Sequence, residues 1–171
     1  VVLDGNRAGD QELGYTGSGG GIHSINGHVR MVNCIISRSV VEALQGTSRG
    51  GGICVRGITG GATIAASLRM DNCLVRSNDA GILLEGAQHF GGGIFTSKAA
   101  VDIANCTIVD NGVSGVGGGY YEGTAGAPFP VVNINNTVFW SNDPEEMLIV
   151  SANNNVTLRN CALENGLAGI S

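Results

Sequence analysis

The stretch Val101-Asp-Ile-Ala-Asn-Cys-Thr-Ile-Val-Asp-Asn111 decides the fold, because related copies of it occur along the whole chain. The other copies begin at Val29, Leu68, Val132 and Val156. Every copy has Asn as its fifth residue: Asn33, Asn72, Asn105, Asn136 and Asn160. These asparagines are separated by 39, 33, 31 and 24 residues. Such self-similarity is typical of a solenoid, in which each repeat adds one turn of stacked chain.

Three consecutive glycines precede four of these copies, and the triplets begin at Gly19, Gly50, Gly91 and Gly117. Within each copy apolar residues alternate with others, and a period of two predicts β-strands. Short strands separated by Gly and Asn turns bury an apolar face only when they stack as parallel rungs. The pattern therefore predicts an all-β fold: a right-handed parallel β-helix of about five to six rungs, forming a single domain over residues 1–171.

Two neighbouring columns of this alignment are predicted to be structural. Asn tolerates unusual turn angles, and stacked Asn amides can bond from rung to rung, so the asparagines predict a turn ladder. The next column is predicted to hold small inward-facing residues: Cys34, Cys73, Cys106, Thr137 and Cys161. In-register parallel side chains suit disulfide geometry poorly, so free buried thiols are expected. Cys54 lies in another column and is predicted to be partly exposed.

The composition excludes several classes of protein. The 171 residues include 29 glycines, with 43% hydrophobic and 13% charged residues, which is too apolar for a disordered segment. No run of 18 apolar residues occurs, so no membrane span is predicted. A net charge of −5 argues against nucleic acid as a partner. The chain begins without Met and has no visible targeting signal, so we interpret it as excised from a larger multidomain protein.

The Gly-Gly-Gly-Ile and Val-x-Ile-x-Asn-Cys-x-Ile units resemble those of secreted bacterial parallel β-helix proteins of the pectate-lyase-like superfamily. The resemblance covers roughly residues 19–166. It implies an extracellular protein, secreted or at the cell surface, that acts on or adheres to polysaccharide. Relatives include polysaccharide lyases, glycoside hydrolases, surface adhesins, and noncatalytic carbohydrate-binding modules of plant cell-wall enzymes. One fold hosts all these functions, so the choice among them depends on the site.

Catalysis by this superfamily implies clustered carboxylates, either around calcium or as several Asp on adjacent rungs. No column of the alignment stacks two acids. The best pair is diagonal, Asp71 and Asp102, at roughly 7–8 Å by analogy with sheet neighbours. That separation lies within the window of about 6.5–9.5 Å that inverting glycosidases use. A surface ion-pair network with Arg30 and Arg69 is the alternative interpretation. No catalytic residue, metal or cofactor is assigned, and three histidines are expected at the surface: His23, His28 and His89.

The aromatic residues predict a binding surface instead. By alternation Phe95 and Tyr121 point outward on adjacent rungs, and Trp140 lies in a mostly outward column. Exposed aromatic groups flanked by polar ones mark binding surfaces, and sugar rings present apolar C–H faces to them. The predicted carbohydrate-binding residues are Phe95, Tyr121, Trp140, Arg56, Glu122 and Arg76. In the alternative interpretation, loops cover Phe95 and Tyr121 as local core, and Trp140 covers residues 145–149. Insertions near residues 57–65 and 123–129 form either a binding rim or neutral bulges.

Three functional hypotheses follow. The first is a noncatalytic module that binds a plant cell-wall polysaccharide, with xylan or a related β-glycan favoured. Its partners would be that glycan and the attached catalytic domain of a glycoside hydrolase. The second is a β-helical polysaccharide lyase or glycoside hydrolase domain. The third is a structural stalk or adhesin segment that binds no glycan.

Overall fold

The computed structural model describes residues 1–10, 16–43, 46–58, 64, 66–81, 88–124, 126–127, 129–150 and 155–164. These residues form 23 β-strands, and within them no helix occurs that could cross a membrane. In chain order the strands are β1 (Val2–Asp4), β2 (Arg7–Asp10), β3 (Gly17–Ser18), β4 (Ile22–Ile25), β5 (His28–Val32), β6 (Ile35–Ser37), β7 (Val40–Ala43), β8 (Thr47–Arg49), β9 (Ile53–Arg56), β10 (Ala66–Asp71), β11 (Leu74–Arg76), β12 (Asp79–Ala80), β13 (Gln88–Phe90), β14 (Ile94–Ser97), β15 (Ala99–Ala104), β16 (Thr107–Val109), β17 (Gly112–Val113), β18 (Tyr120–Glu122), β19 (Val131–Asn135), β20 (Val138–Trp140), β21 (Met147–Ile149), β22 (Asn155–Arg159) and β23 (Ala162–Leu163).

The strands assemble into five sheets, in which all pairings are parallel. Sheet A has the order β1-β6-β11-β16-β20-β23, sheet B β2-β7-β12-β17, sheet C β3-β8-β13, sheet D β4-β9-β14-β18-β21 and sheet E β5-β10-β15-β19-β22. For three turns the chain visits the sheets in the order A, B, C, D, E and then adds the next strand to sheet A. Among the described residues, the fourth turn has no strand in sheet C, and the fifth has none in sheets B and C. Neighbouring strands of a sheet therefore come from successive repeats. This all-β arrangement of parallel sheets fits a β-solenoid.

The strand register follows the alignment of the sequence copies. Ile103 pairs with Met70 on one side and with Ile134 on the other, as the copies require. All three side chains are buried in the main core, together with the apolar residues of sheets A and D that alternation points inward. Copies that are aligned in sequence thus stack in space, because a slip of one residue would turn each apolar side chain outward.

The shared asparagines occupy the turn between sheets E and A, with left-handed φ angles from 48° at Asn136 to 54° at Asn33. The Asn72 Nδ2 atom donates to Asn33 Oδ1 at 2.7 Å, and Asn136 Nδ2 donates to Asn105 Oδ1 at 2.7 Å. The predicted turn ladder is therefore present. The ladder bonds join two of its four steps. Asn105 Nδ2 donates to Asp71 Oδ1 at 2.8 Å and not to Asn72, and no side-chain bond joins Asn136 to Asn160, both of which the structure describes.

A second asparagine ladder lies inside the fold, and the sequence alignment missed it. Its members are Asn78, Asn111 and Asn142, six residues after the exposed asparagines, with exposed fractions of 1%, 1% and 7%. Asn78 Nδ2 donates to Asn111 Oδ1, and Asn111 Nδ2 donates to Asn142 Oδ1, both at 2.9 Å. The same amides donate to backbone carbonyls of sheet A. These bonds satisfy polar groups that would otherwise be costly to bury.

The glycine triplets are explained by close approach of the chain. Gly91 has φ +65°, a conformation that suits glycine. A Cβ atom on Gly92 would lie 2.1 Å from the Gly112 carbonyl oxygen of another strand. A Cβ atom on Gly93 would lie 2.9 Å from Asn111 Cγ of the interior ladder. Each glycine of the triplet is thus required for a different reason, and the third leaves room for the ladder.

The cysteine column matches the prediction of buried thiols at Cys73 and Cys106, whereas Cys34 and Cys161 are half-buried. The five cysteines are free thiols. Within the column, Cys73 and Cys106 are buried in the main core, and Cys106 Sγ donates to the Ala104 carbonyl oxygen at 3.0 Å. The prediction that Cys54 is partly exposed is wrong. Cys54 is fully buried, because other side chains cover the outer face of sheet D, and burial raises the pKa of its thiol to about 11.

Candidate functional site

The six residues predicted to bind carbohydrate lie in three different environments. Phe95, Tyr121 and Arg56 lie on the outer face of sheet D, where alternation along β14, β18 and β9 points them away from the main core. Trp140 and Arg76 share a column on the outer face of sheet A, with Val109 between them. The sixth residue, Glu122, lies inside. The structure therefore brings three of the predicted residues together and separates the others.

Glu122 corrects the sequence prediction. It is fully buried, because it follows the outward Tyr121 in β18 and so faces the same way as the buried Tyr120. Its Oε1 atom accepts a hydrogen bond from the Thr124 backbone N–H at 2.9 Å and another from the Thr124 hydroxyl. A side chain in this position cannot touch a glycan in solvent. Its role is to hold the chain that leaves β18.

Phe95 and Tyr121 form a stacked pair on adjacent strands, with ring centroids 5.4 Å apart and planes inclined by 14°. The Phe90 ring lies 4.8 Å from that of Tyr121. These rings, with Cys54, Val116 and Leu148, form a second apolar cluster separate from the main core. Only 4% of Phe95 and 8% of Tyr121 is exposed. The outward orientation was predicted correctly, but the rings are largely covered and do not form an open strip.

Two arginines line a cavity of about 200 Å³ beside this aromatic cluster. The Arg49 guanidinium carbon lies 5.9 Å from the Phe95 ring centroid, which is within cation–π range. Desolvation, reinforced by repulsion from Arg56, lowers the pKa of Arg49. The cavity is lined by Arg49, Arg56, Phe90, Phe95, Ser97, Tyr121 and Gly123. No carboxylate belongs to this lining, so the cavity is cationic and partly aromatic.

The sheet A location is open to solvent. Trp140 is 48% exposed, as predicted, and Arg76 is exposed two strands away. Val138 adds a further exposed apolar side chain on β20. About half of the Trp140 side chain is therefore available to a ligand.

The diagonal carboxylates of sheet E are engaged in surface bonds. Arg69 donates through Nε at 3.0 Å and Nη2 at 2.8 Å to Asp102 Oδ2. Asp71 Oδ1 accepts from Asn105, as described above. The ion-pair interpretation of these residues is therefore the one that the geometry supports. Together with Arg30 they border two shallow cavities of about 400 and 300 Å³ on the outer face of this sheet.

An acidic cleft on sheet B was missed in the sequence. Asp79 pairs with Gly112, which in turn bridges to Asp143, so one column holds two carboxylates with a glycine between them. This corrects the prediction that no column contains two acids. Asp110 lines the same cavity of about 530 Å³. Desolvation, together with the Glu42 charge, raises the pKa of Asp79, against a backbone hydrogen bond that lowers it.

The histidines divide between surface and interior. His23 and His28 are exposed, as predicted, and His28 Nδ1 lies 2.9 Å from the Ser67 hydroxyl. The expectation that His89 is a surface residue is wrong, since only 3% of it is exposed. It follows Gln88 in β13 and faces inward, where sheet C is close to the glycine Gly81.

The two predicted insertions fall partly outside the described residues: 59–63 and 65 in the first, and 125 and 128 in the second. Over the ranges that the structure describes, no three His, Cys, Asp or Glu side chains are placed to share a metal ion. Comparisons of the chain with protein-family models, with curated proteins and with solved structures gave no match.

Proposed function

We propose that this chain is a right-handed parallel β-helix module of the pectate-lyase-like type that binds a polysaccharide without transforming it. In this proposal it is extracellular and tethers an attached glycoside hydrolase to plant cell-wall glycan, with xylan or a related β-glycan as the reference ligand. The observation that carries the proposal is the sheet D cavity, where Arg56, Phe95 and Tyr121 converge with Arg49. Three residues singled out by the sequence meet there in one cavity.

The chemistry of this cavity suits a saccharide. Tyr121 and the half-buried Phe90 line the cavity and offer apolar contact to sugar C–H groups, and the two guanidinium groups offer several donors to sugar oxygens. A dissociation constant between about 1 mM and 1 µM requires roughly 4–8 kcal/mol. A few hydrogen bonds and one aromatic contact supply that amount. Weak binding is sufficient in a tethered module, because tethering raises the effective concentration to around millimolar.

The test is affinity gel electrophoresis against soluble xylan, glucan, mannan and pectin, with release of reducing sugar and absorbance of unsaturated product followed on the same mixtures. We expect one class of glycan to retard the protein without product. Arg56→Ala should weaken retardation by about tenfold, equivalent to roughly 1.4 kcal/mol. Arg159→Ala is the matched control, because it removes one exposed arginine from sheet E, away from the cavity.

Retardation that is lost in Trp140→Ala and kept in Arg56→Ala would move the binding surface to sheet A. Absence of retardation and of product across the panel would favour the stalk or adhesin hypothesis. Product release would favour an enzyme.

A glycoside hydrolase is the second candidate, and the sheet B cleft is the observation that favours it. Asp79 and Asp143 are two strands apart, which places their backbones roughly 10 Å from each other. Inverting glycosidases hold an acid and a base about 6.5–9.5 Å apart and raise the pKa of the acid. The raised pKa of Asp79 suits the acid, and Gly112 leaves open space between the two. If this candidate is correct, Asp79→Asn and Asp143→Asn should each abolish the product release that the first experiment monitors.

A further inference from the structure

Arg49 and Arg56 share the sheet D cavity and have no acidic partner among the described residues. The other arginines without an ion pair are exposed: Arg30, Arg76 and Arg159. Arg7, Arg38 and Arg69 each form an ion pair with a carboxylate on a neighbouring strand. In the part of the chain that the structure describes, the Arg49 and Arg56 side chains form neither an ion pair nor a hydrogen bond. Both are half-buried. In a chain of net charge −5, two arginines without counter-ions converge on one cavity.

Charge burial makes this arrangement unfavourable without a ligand. A partly desolvated cation loses hydration, and a second cation nearby adds repulsion. Both effects act on Arg49, whose pKa falls for these reasons, and Arg56 also contributes to a lowered pKa of His23. An anion bound between the guanidinium groups would relieve both effects through charge-assisted hydrogen bonds, which Arg forms with two parallel donors.

The size of the cavity and its other polar groups restrict the kind of molecule that can bear the anionic group. Its volume of about 200 Å³ is below the roughly 300–1,000 Å³ of drug-sized ligand pockets and suits one ring, with the rest of a glycan chain outside. The Ser97 hydroxyl donates to the Gly123 carbonyl oxygen at 3.2 Å and keeps its lone pairs for a donor. The Tyr121 hydroxyl has no hydrogen-bond partner among the described residues. These groups match the hydroxyls of a sugar ring.

We infer that the sheet D cavity binds a single acidic sugar unit, a carboxylate- or sulfate-bearing pyranose at a chain end or side branch, with its anionic group between Arg49 and Arg56. The inference rests on the proposed function and goes further in naming the class of ligand. The glycan backbone would remain outside the cavity, so an acidic substituent, and not the backbone type, would determine specificity.

The test is calorimetric titration of the full chain with glucuronic acid, its methyl ester, glucose and glucose 6-sulfate. We expect the acid to bind at least about tenfold more tightly than its neutral methyl ester, because one charge-assisted pair is lost. Arg56→Gln should abolish this difference, whereas Arg159→Gln should preserve it. The glucose 6-sulfate arm distinguishes sulfate from carboxylate as the preferred anion. Binding of the preferred anion should weaken as salt concentration rises.

Equal binding of the acid, the sulfate and the neutral sugars would overturn the inference and leave the carbohydrate-binding proposal standing. Binding of none of them, together with no retardation by any polysaccharide, would overturn both. If Arg56→Gln is folded by circular dichroism and still prefers the acid over its methyl ester, the acidic-sugar inference would also be overturned. Because Arg49 packs on Phe95, Arg49→Lys serves as the second variant: it keeps a charge while losing the paired donors, and we expect reduced preference for the acid.

Discussion

The side chain of Asn111 uses its full capacity of four hydrogen bonds while only 1% of the residue is exposed. Its Oδ1 atom accepts from the Asn78 side chain at 2.9 Å and the Asn78 backbone N–H at 3.1 Å. Its Nδ2 atom donates to Asn142 Oδ1 at 2.9 Å and to the Val75 carbonyl oxygen at 3.1 Å. One side chain thus joins three successive turns of the chain.

Asn111→Ala should lower the free energy of unfolding by about 3 kcal/mol or more, because it leaves several buried polar groups without partners. Asn105→Gly is the control. Asn105 is exposed with φ 53°, and glycine accepts that angle, so we expect a change below about 1 kcal/mol. Chemical denaturation of both variants measures the difference. Similar losses in the two variants would contradict an energetic distinction between the ladders.

Asp4 links stability to pH through its pair with Arg38. Hydrogen bonds from Arg38 and Ser37 lower the pKa of Asp4 from 3.8 to about 2. A carboxyl with a depressed folded-state pKa stabilises the fold above its unfolded pKa, and this contribution disappears as pH falls toward 2. The stability gap between the wild type and Asp4→Asn should therefore close between about pH 4 and pH 2 in urea titrations at low salt. A gap that stays constant over that range would contradict the assignment.

At the level of elements, the turn into sheet D is set by backbone contact. The third glycine of each triplet lies against an asparagine of the interior ladder, or against Ser39 in the first triplet. This contact fixes where the following strand of sheet D begins. Gly93 lies next to Asn111, and Gly119 lies next to Asn142. The turn and the ladder therefore depend on each other.

Gly93→Ala should destabilise the fold by about 1–3 kcal/mol, because its Cβ would lie 2.7 Å from the Gly119 carbonyl oxygen and 2.9 Å from Asn111 Cγ. Gly112→Ala is the matched control, since the nearest atom to its Cβ is Asp79 Oδ1 at 3.8 Å. We expect the control to be neutral or slightly stabilising, because alanine restricts the unfolded chain. Thermal unfolding compares the two, and equal losses would refute the packing argument.

At the level of the whole molecule, the outer faces of the sheets differ in chemistry. Sheet A exposes Trp140 and Val138, sheet B has three aspartates around its cleft, and sheet D combines arginines with covered aromatic rings. Each face is assembled from successive turns, so one substitution changes one face and leaves the others intact.

The fluorescence of the single tryptophan, Trp140 on sheet A, distinguishes ligand bound on sheet A from ligand bound on sheet D. If ligand binds in the sheet D cavity, the emission of Trp140 and its quenching by acrylamide should remain unchanged on saturation. Trp140→Ala should change the free energy of unfolding by less than about 0.5–1 kcal/mol, because the side chain is 48% exposed. Protection of Trp140 from acrylamide on addition of ligand would instead place the ligand on sheet A.

The fold was predictable because its signals are local and periodic: alternation within strands, asparagine at left-handed turns, and glycine before sheet D. The site was less predictable, because the burial of an outward-facing side chain depends on residues of other strands and not on its own strand. Phe90 packs on Phe95 and Tyr121 from the neighbouring sheet C, and Leu148 packs on this cluster from the next strand of sheet D, and alternation along β14 reveals neither contact. The sequence does contain a signal for the interior ladder, whose asparagines each follow an exposed asparagine by six residues. It also contains one for the column of Asp79 and Asp143, which follow Asn72 and Asn136 by seven residues. The burial of Glu122 follows from its position two residues after Tyr120.

The interior ladder also affects how the number of turns can change during evolution. Asn111 bonds to an identical residue on the turn before it and on the turn after it, so its turn is complementary to a copy of itself. A tandem gene duplication that spans one turn would carry both the third glycine and the asparagine packed against it, and the new turn would dock without further mutation. Ser39 occupies the ladder position on the turn before Asn78. Its backbone N–H still donates a hydrogen bond to Asn78 Oδ1 at 3.0 Å, so the two turns remain joined. Drift at one turn is therefore tolerated while the length of the molecule changes by whole turns.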